Sequence, residues 1–231
     1  DMINFLDEDG SRIKPAAAQK RPPGADISLV ADAYGFRFAT PFSSLHQYQR
    51  SDSVWANEYL TPLDAYQNGF NSKHCELLPA FIRYDCIKDD YQKLSPLPSA
   101  AKVLEPQEFG DDWAERLEAD EVEKIQSYFQ SIAHLKKEID FINVRVGDKS
   151  HLVKLGLGRV DKGIEFEVPK TSLMKAVNNE TFDDLLIGNF MKTRMVGKWP
   201  TSNLYPDFTP YVGKYADNGG AKSEEELRDY F

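Results

Sequence analysis

Apolar and polar positions follow two different periods in the second half of the chain. From Val122 to Leu135 apolar residues recur every three or four positions, which predicts an amphipathic helix over residues 119–137 with one buried face. The period then changes to alternation, which predicts an antiparallel meander built from residues 141–146, 151–155 and 164–168. Two short helices and a closing strand are predicted next, at residues 172–177, 181–188 and 191–196.

The first half of the chain predicts shorter elements. Residues 2–7 and 26–30 are short apolar runs beside carboxylates, and we interpret both as strands. A short helix is predicted over residues 61–69, because Thr, Pro and Gly stand at its cap, first and terminating positions. Residues 77–84 are apolar but contain Pro79, which favours an edge strand or an irregular segment.

Proline-rich segments indicate how the chain is divided. Residues 94–106 carry three prolines among small residues, so we place a boundary near residue 106 and predict domains 1–106 and 107–231. The tail at residues 199–220 is rich in Pro, Tyr, Asp and Gly, and we expect it to wrap over other elements. A capping-box pattern at Ser223 predicts a final helix.

Composition and charge exclude several classes of protein. The 231 residues are 41% hydrophobic and 12% aromatic, which is typical of a folded protein with a substantial core. The net charge of -9 argues against sequence-independent binding to nucleic acid or to anionic membranes. No apolar run approaches the roughly 20 residues that span a bilayer, and no secretory signal is seen, so we predict a cytoplasmic protein. The two cysteines, Cys75 and Cys86, lack zinc-site spacing, and we expect both to be reduced.

Two side chains at predicted strand ends are candidate metal ligands. Asp7 ends the first strand, and His46 follows an apolar strand that precedes a run of polar residues. Carboxylate oxygen and imidazole nitrogen are ligands for zinc and iron. The alternative for Asp7 is a simple turn, because Asp and Gly are common turn residues. The alternative for His46 is a buried, hydrogen-bonded histidine beside Tyr48.

The residues after His46 offer groups that could contact a substrate. Tyr48, Arg50 and Asp52 provide donors, acceptors and a guanidinium group suited to a carboxylate or a phosphate. The alternative for Arg50 is a structural ion pair with Asp52 or Asp64. Both interpretations remain open from the sequence.

These motifs resemble the metallo-β-lactamase-fold superfamily, in the branch that includes CMP-N-acetylneuraminate hydroxylase and Rieske-associated proteins. The resemblance covers Asn4-x-x-Asp7 at a strand end, Asp26 at the opening of the next strand, and Pro41 to His46 after another strand. It also implies an asparagine near Asn57, which we include among the candidate substrate contacts. The family's early His-x-His-x-Asp-His run is absent, since no two of the four histidines are close enough to form it.

The resemblance implies an α+β fold made of the C-terminal half of a metallo-β-lactamase-like αββα sandwich and a small antiparallel-sheet-and-helix accessory domain similar to sterol carriers. It implies a dinuclear zinc or iron site with Asp7 as bridging carboxylate and His46 as a further ligand. The implied activity is hydrolysis or di-iron oxygenation of a small-molecule substrate.

The other ligands are expected from an upstream half of the same domain or from a second chain, because the sequence enters its first strand at once. Two other functions remain open at this point. One is a non-catalytic binding or assembly subunit, and the other is apolar-ligand binding by residues 107–198.

Overall fold

The protein folds into mixed helix and sheet. The computed structural model describes residues 3–15, 22–42, 46–97, 100–156, 160–213, 223–225 and 228. It is 36% helical and 21% strand, which confirms the α+β class. The chain forms two compact units. The first unit consists of Asp1–Pro15, Arg50–Ser53 and Leu104–Phe231, and the second consists of Ala16–Gln49 and Val54–Val103.

Short strands and helices alternate along the chain. The strands are β1 (Asn4–Phe5), β2 (Phe38–Ala39), β3 (Glu76–Leu77), β4 (Ile82–Asp85), β5 (Asp90–Lys93), β6 (Phe141–Val146), β7 (Lys149–Lys154), β8 (Gly163–Glu167) and β9 (Lys192–Val196). The α-helices are α1 (Pro23–Tyr34), α2 (Ala119–Ser131), α3 (Leu135–Glu138), α4 (Lys170–Asn179), α5 (Phe182–Ile187) and α6 (Leu204–Asp207). Short 3₁₀-helices lie at Val54–Tyr59, Leu63–Gln67, Pro106–Phe109, Thr201–Asn203 and Thr209–Tyr211.

The first unit is built on a five-stranded sheet with the order β1-β9-β8-β6-β7. The predicted strands at residues 141–146, 151–155, 164–168 and 191–196 are confirmed. The predicted antiparallel meander is wrong, because β8 does not pair with β7. It pairs in parallel with β6, in the middle of the sheet. Alternation predicts strands but not their order. Gly163 permits this pairing, since a Cβ there would lie 2.5 Å from the Phe141 carbonyl oxygen.

The core of the first unit lies between one face of this sheet and the helices. Alternate residues of the central strands, such as Ile142, Val144 and Phe166, are buried and pack with residues of α2, α4 and α5. The predicted amphipathic helix is confirmed over α2, which begins at a capping box between Glu118 and Glu121. It ends earlier than predicted, and the short helix α3 follows. The two predicted short helices are confirmed as α4 and α5.

The other face of this sheet is polar. Lys192 pairs with Glu167 at 2.6 Å, and Arg194 pairs with Glu165 at 3.2 Å. These four side chains alternate along β8 and β9 with buried residues, as expected for a sheet with one covered face. The sheet of the first unit therefore has one apolar, helix-covered face and one charged face.

The second unit begins with a helix where the sequence pattern predicted a strand. Residues 26–30 lie inside α1, so the predicted strand is wrong. Pro23 stands at the first position of the helix, Asp26 in its first turn, and Gly35 ends it in the left-handed conformation with φ of 68°. A short apolar run cannot distinguish a strand from a helix, and these terminal signals decide the outcome.

The remaining elements of the second unit are short. The predicted helix at residues 61–69 is present as the 3₁₀-helix Leu63–Gln67. β2 and β3 pair in parallel, while β4 and β5 form an antiparallel hairpin. Pro79 lies between β3 and β4, in agreement with the predicted edge strand or irregular segment.

The described part of the tail wraps onto the core of the first unit. Trp199, Leu204, Phe208 and Val212 are buried in the core, and the Tyr128 hydroxyl donates to the Val212 carbonyl. The predicted wrapping tail is confirmed over residues 199–213. Residues 214–220, and most of the predicted final helix, lie outside the described residues.

Cys75 is buried and Cys86 is exposed, and both are free thiols as predicted. Across the described segments, the helices are too short or too polar to cross a lipid bilayer.

Candidate functional site

Asp7 follows strand β1 and begins a tight turn in the first unit. The Glu8 amide donates to Asp7 Oδ1 at 2.7 Å, and the Gly10 amide donates to the Asp7 carbonyl at 3.0 Å. The turn interpretation is therefore confirmed. The carboxylate is exposed, so the turn leaves it accessible to a ligand. Its role as a metal ligand stays a prediction.

Asn4 holds the base of this turn. Its side chain is only 2% exposed, and its Oδ1 accepts a hydrogen bond from Arg12 Nε at 2.8 Å. The chain returns beside β1 through a bridge between Leu6 and Arg12 and through the Ile13 amide, which donates to the Phe5 carbonyl. The buried Asn4 therefore fixes the strand end from which Asp7 projects.

His46 lies in the second unit and is exposed. The alternative of a buried histidine is therefore wrong. Its ring meets the edge of the Tyr48 ring, with ring centroids 4.9 Å apart and planes at 89°. Three residues of the motif that precedes His46, at positions 43–45, lie outside the described residues. An exposed imidazole beside an aromatic ring can still bind a ligand.

Asn57 is bound to the backbone of Tyr48. Its Oδ1 accepts from the Tyr48 amide and its Nδ2 donates to the Tyr48 carbonyl, both at 2.8 Å. This pair of bonds fixes the backbone two residues after His46. A contact between Asn57 or Tyr48 and a substrate stays a prediction.

Arg50 belongs to the first unit and lies in a buried ion-pair cluster. Its Nε and Nη2 donate to the two oxygens of Asp52 at 2.7 and 3.1 Å, and its Nη1 donates to Asp111. The guanidinium carbon lies 3.9 Å from the centre of the Phe190 ring. The predicted alternative, an ion pair with Asp52, is confirmed. Arg50 is 9% exposed, so it is poorly placed to meet solvent.

Asp111 is the buried carboxylate beside Arg50, and the sequence analysis did not predict it. It is 1% exposed and accepts bonds from the Ser172 amide at 2.9 Å and from the Ser172 hydroxyl at 2.6 Å. Ser172 lies in the first turn of α4, where unpaired amide groups favour a negative charge. The sequence placed Asp111 in an acidic, solvated stretch, and only its neighbour Trp113 signalled burial nearby.

Asp52 completes what we call the Arg50 cluster: Arg50, Asp52, Asp111, Trp113 and Ser172. Trp113 Nε1 donates to Asp52 Oδ2 at 2.9 Å. One guanidinium faces two carboxylates, and the start of α4 compensates part of the remaining charge. The cluster joins residues 50–52 to α4 within the first unit. Its geometry is that of a structural ion-pair network. A role of Arg50 or Asp52 in substrate binding stays a prediction.

The predicted metal ligands lie in different units of the chain. Asp7 belongs to the first unit and His46 to the second. Within the described parts of the chain, no three His, Cys, Asp or Glu side chains form a group that could hold a metal ion. The donor types of Asp7 and His46 fit zinc or iron, and the expected site requires further ligands in any case.

The second unit also contains a cavity that the sequence did not predict. Its volume is about 370 Å³, and its wall includes the 3₁₀-helix Leu63–Gln67. Tyr66 and Phe81 line it, together with the charged residues Asp64 and Lys93. Neither Asp7 nor His46 lines this cavity.

Comparisons with known proteins do not assign the chain to a family. No protein-family model matches the sequence, and no curated protein or solved structure is similar enough to match it.

Proposed function

We propose that this chain contributes two ligands, Asp7 and His46, to the metal site of a hydrolase or di-iron oxygenase of the metallo-β-lactamase-fold superfamily. The observation that carries the proposal is the exposed carboxylate of Asp7, which projects from a strand end fixed by the buried Asn4. This is the Asn-x-x-Asp spacing of the resemblance.

The surroundings of Asp7 are compatible with metal binding. The carboxylate accepts the Glu8 amide through Oδ1 and lies on an exposed turn. A neighbouring amide that orients a carboxylate is a common feature around metal ligands. Asp7 therefore offers an oriented and accessible oxygen.

The surroundings of His46 support the same role. Its imidazole is exposed and is placed against the Tyr48 ring. The backbone of Tyr48 is held by the side chain of Asn57. An imidazole of restricted orientation loses less conformational entropy when a nitrogen coordinates a metal.

One residue of the resemblance is removed from the proposal. Asp26 lies in the first turn of α1 and not at the opening of a strand. The proposed set from this chain is therefore Asp7 and His46, and the remaining ligands are supplied by the upstream half of the domain or by a second chain. A zinc or iron ion in such a site lowers the pKa of a bound water and polarises the substrate.

The first test is metal analysis of the purified protein together with every polypeptide that copurifies with it. We expect zinc or iron in the native assembly, and we expect His46→Ala to lower its occupancy at least about tenfold because an imidazole ligand is lost. His74→Ala is the matched control, since His74 is also an exposed histidine of the second unit. Equal occupancy in the His46 variant and the control would remove His46 from the site.

A second candidate function is supported by the surface of α1. The large apolar residues Leu29, Val30 and Tyr34 are 61%, 50% and 75% exposed. Contiguous exposed apolar residues are typical of protein interaction surfaces. We therefore retain the non-catalytic binding or assembly subunit as the alternative. It predicts a metal-free protein whose hydrodynamic size decreases when Leu29→Lys and Tyr34→Lys are combined.

A further inference from the structure

The cavity of the second unit is large enough for a small molecule. Its volume of about 370 Å³ lies at the lower end of the roughly 300–1,000 Å³ found for small-molecule sites. At about 30 Å³ per water molecule in the liquid, it is much larger than a site for one structural water.

The apolar part of the wall consists of aromatic and aliphatic side chains. Leu63, Phe81 and Leu94 line the cavity and remain 44%, 38% and 46% exposed. Tyr66 adds a ring with a polar end. A ligand with an apolar body would remove these surfaces from water, which is favourable in proportion to the area buried.

The polar part of the wall carries one charge of each sign. Asp64 lies in the first turn of the 3₁₀-helix Leu63–Gln67, and Lys93 ends strand β5. Both line the cavity, and neither forms an ion pair with another residue in the described part of the chain. A ligand that displaces water from this wall removes hydration from a carboxylate and from an ammonium group. The cost is compensated at both positions only when the ligand carries both opposite charges.

We propose that this cavity binds a small zwitterion with an apolar side chain, that is, a free apolar or aromatic α-amino acid. The ligand ammonium group pairs with Asp64 and the ligand carboxylate pairs with Lys93, while the side chain packs against Tyr66 and Phe81. This inference goes beyond the proposed metal site and does not depend on it, because Asp7 and His46 do not line the cavity.

The proposal is tested by calorimetric titration of the full chain in the presence of a metal chelator. The three ligands are L-phenylalanine, phenethylamine, which lacks the carboxylate, and 3-phenylpropionate, which lacks the ammonium group. We expect a dissociation constant on the order of 1 mM for phenylalanine, as for a ligand of about a dozen atoms in an open site. Each single-charge analogue should bind at least about fivefold more weakly. Absence of phenylalanine binding, or equal binding of all three ligands, would overturn the proposal.

Charge-removing variants identify which residue recognises which group. Asp64→Asn should remove the preference for phenylalanine over 3-phenylpropionate. Lys93→Met should remove the preference for phenylalanine over phenethylamine. This crossed pattern reports specific pairing, whereas a general loss of structure would weaken all ligands equally. The controls are Glu58→Gln and Lys73→Met, at exposed positions of the second unit that do not line the cavity. An equal loss in controls and variants, or a pattern without crossing, would contradict the assignment.

Discussion

At the scale of single residues, Arg50 is the shared cationic partner of two carboxylates, one of which, Asp111, is buried. Asp52 and Asp111 are held by the same guanidinium group, and Asp111 is almost completely buried. A buried ion pair contributes little compared with an apolar replacement of the whole group, but removal of one partner leaves uncompensated charge. The stability of the first unit therefore depends on Arg50 in a way that its residue type alone does not indicate.

Arg50→Met is expected to destabilise the first unit by about 3–5 kcal/mol, because it leaves Asp52 and Asp111 without their counter-charge. The measurement is urea denaturation followed by tryptophan fluorescence, since Trp113 donates to Asp52 within the cluster. A substrate-binding arginine without a structural role would lower ligand affinity and leave the unfolding midpoint unchanged.

Arg116→Met is the matched control for this experiment. Arg116 also pairs with an aspartate, Asp148, but the two side chains are 58% and 63% exposed. Solvent and salt screen such a surface pair, so its removal should leave the unfolding midpoint almost unchanged. Similar losses in both variants would show that the burial of the Arg50 cluster carries no special weight.

At the scale of elements, the buried residues of α1 are all small, while several of its large residues are exposed. Gly24, Ser28 and Ala31 are the buried residues of the helix, and Leu29 is largely exposed. Ser28 Oγ accepts from the amides of Asn71 and Ser72, so the close contact on this side is also hydrogen-bonded. In most amphipathic helices large apolar residues form the buried face, whereas in α1 small residues form it.

This orientation predicts opposite effects for two neighbouring substitutions. Leu29→Lys should change the free energy of unfolding by no more than about 0.5 kcal/mol, because the side chain is exposed. Ala31→Leu should cost about 1–3 kcal/mol, because it overfills a tightly packed contact. Both are measured by thermal or urea denaturation. A strand over residues 26–30 with Leu29 in the core would give a large loss for Leu29→Lys.

The contrast between α1 and α2 shows what the sequence could predict. Ile125 and Phe129 of α2 are buried in the core, so apolar spacing predicted this helix correctly, although Ile132 and Leu135 of the same stripe lie beyond its end. In α1 the buried face is formed by small residues, and the apolar run of residues 26–30 therefore predicted the wrong element. The strands β6, β7 and β8 followed from alternation, but the central position of β8 depends on its pairing with β6, which no local pattern encodes.

The candidate site shows the same limit. The pairing of Arg50 with Asp52 is local and could be anticipated from two positions of separation. Its second partner, Asp111, lies 61 positions away in the chain, inside an acidic stretch that is typical of solvated surface. Burial of a charge is set by tertiary packing, and the sequence around Asp111 carries no sign of its bonds with Ser172.

At the scale of the whole molecule, two histidines link stability to pH. Burial lowers the pKa of His134, which stacks on Tyr211 with ring centroids 3.6 Å apart. Glu138 and Asp207 oppose this lowering of the pKa, while Lys137 adds to it. Burial also lowers the pKa of His151, with a smaller contribution from Lys149. Both residues lie in the first unit.

We expect the first unit to lose stability as the pH falls below about 6.5, the ordinary histidine pKa. Below this pH the folded state binds fewer protons than the unfolded state. The contribution of the two histidines to the free energy of unfolding is therefore fully present above this pH, and it decreases as the pH falls toward their lower folded-state pKa. Asp183 acts in the opposite sense at more acidic pH, because burial raises the pKa of its carboxyl group. The measurement is the urea midpoint between pH 7.5 and 5.

His134→Phe is the informative variant for this pH dependence. It keeps an aromatic ring against Tyr211 and removes the titrating nitrogen, so the midpoint should fall less steeply with pH. An unchanged slope would assign the pH dependence to other groups.

The pairing of β1 with β9 has a consequence for how the protein is made. These strands pair in parallel between Asn4 and Lys192, which lie far apart in the sequence. At a translation rate of about 5–20 residues per second, Asn4 leaves the ribosome on the order of 10–40 s before its partner. During this interval β1 lacks its partner strand, and the sheet of the first unit is complete only after β9 has been synthesised. The nascent protein must therefore keep that strand from pairing with another molecule, which gives holding chaperones a longer period of action than on a sheet built from neighbouring hairpins.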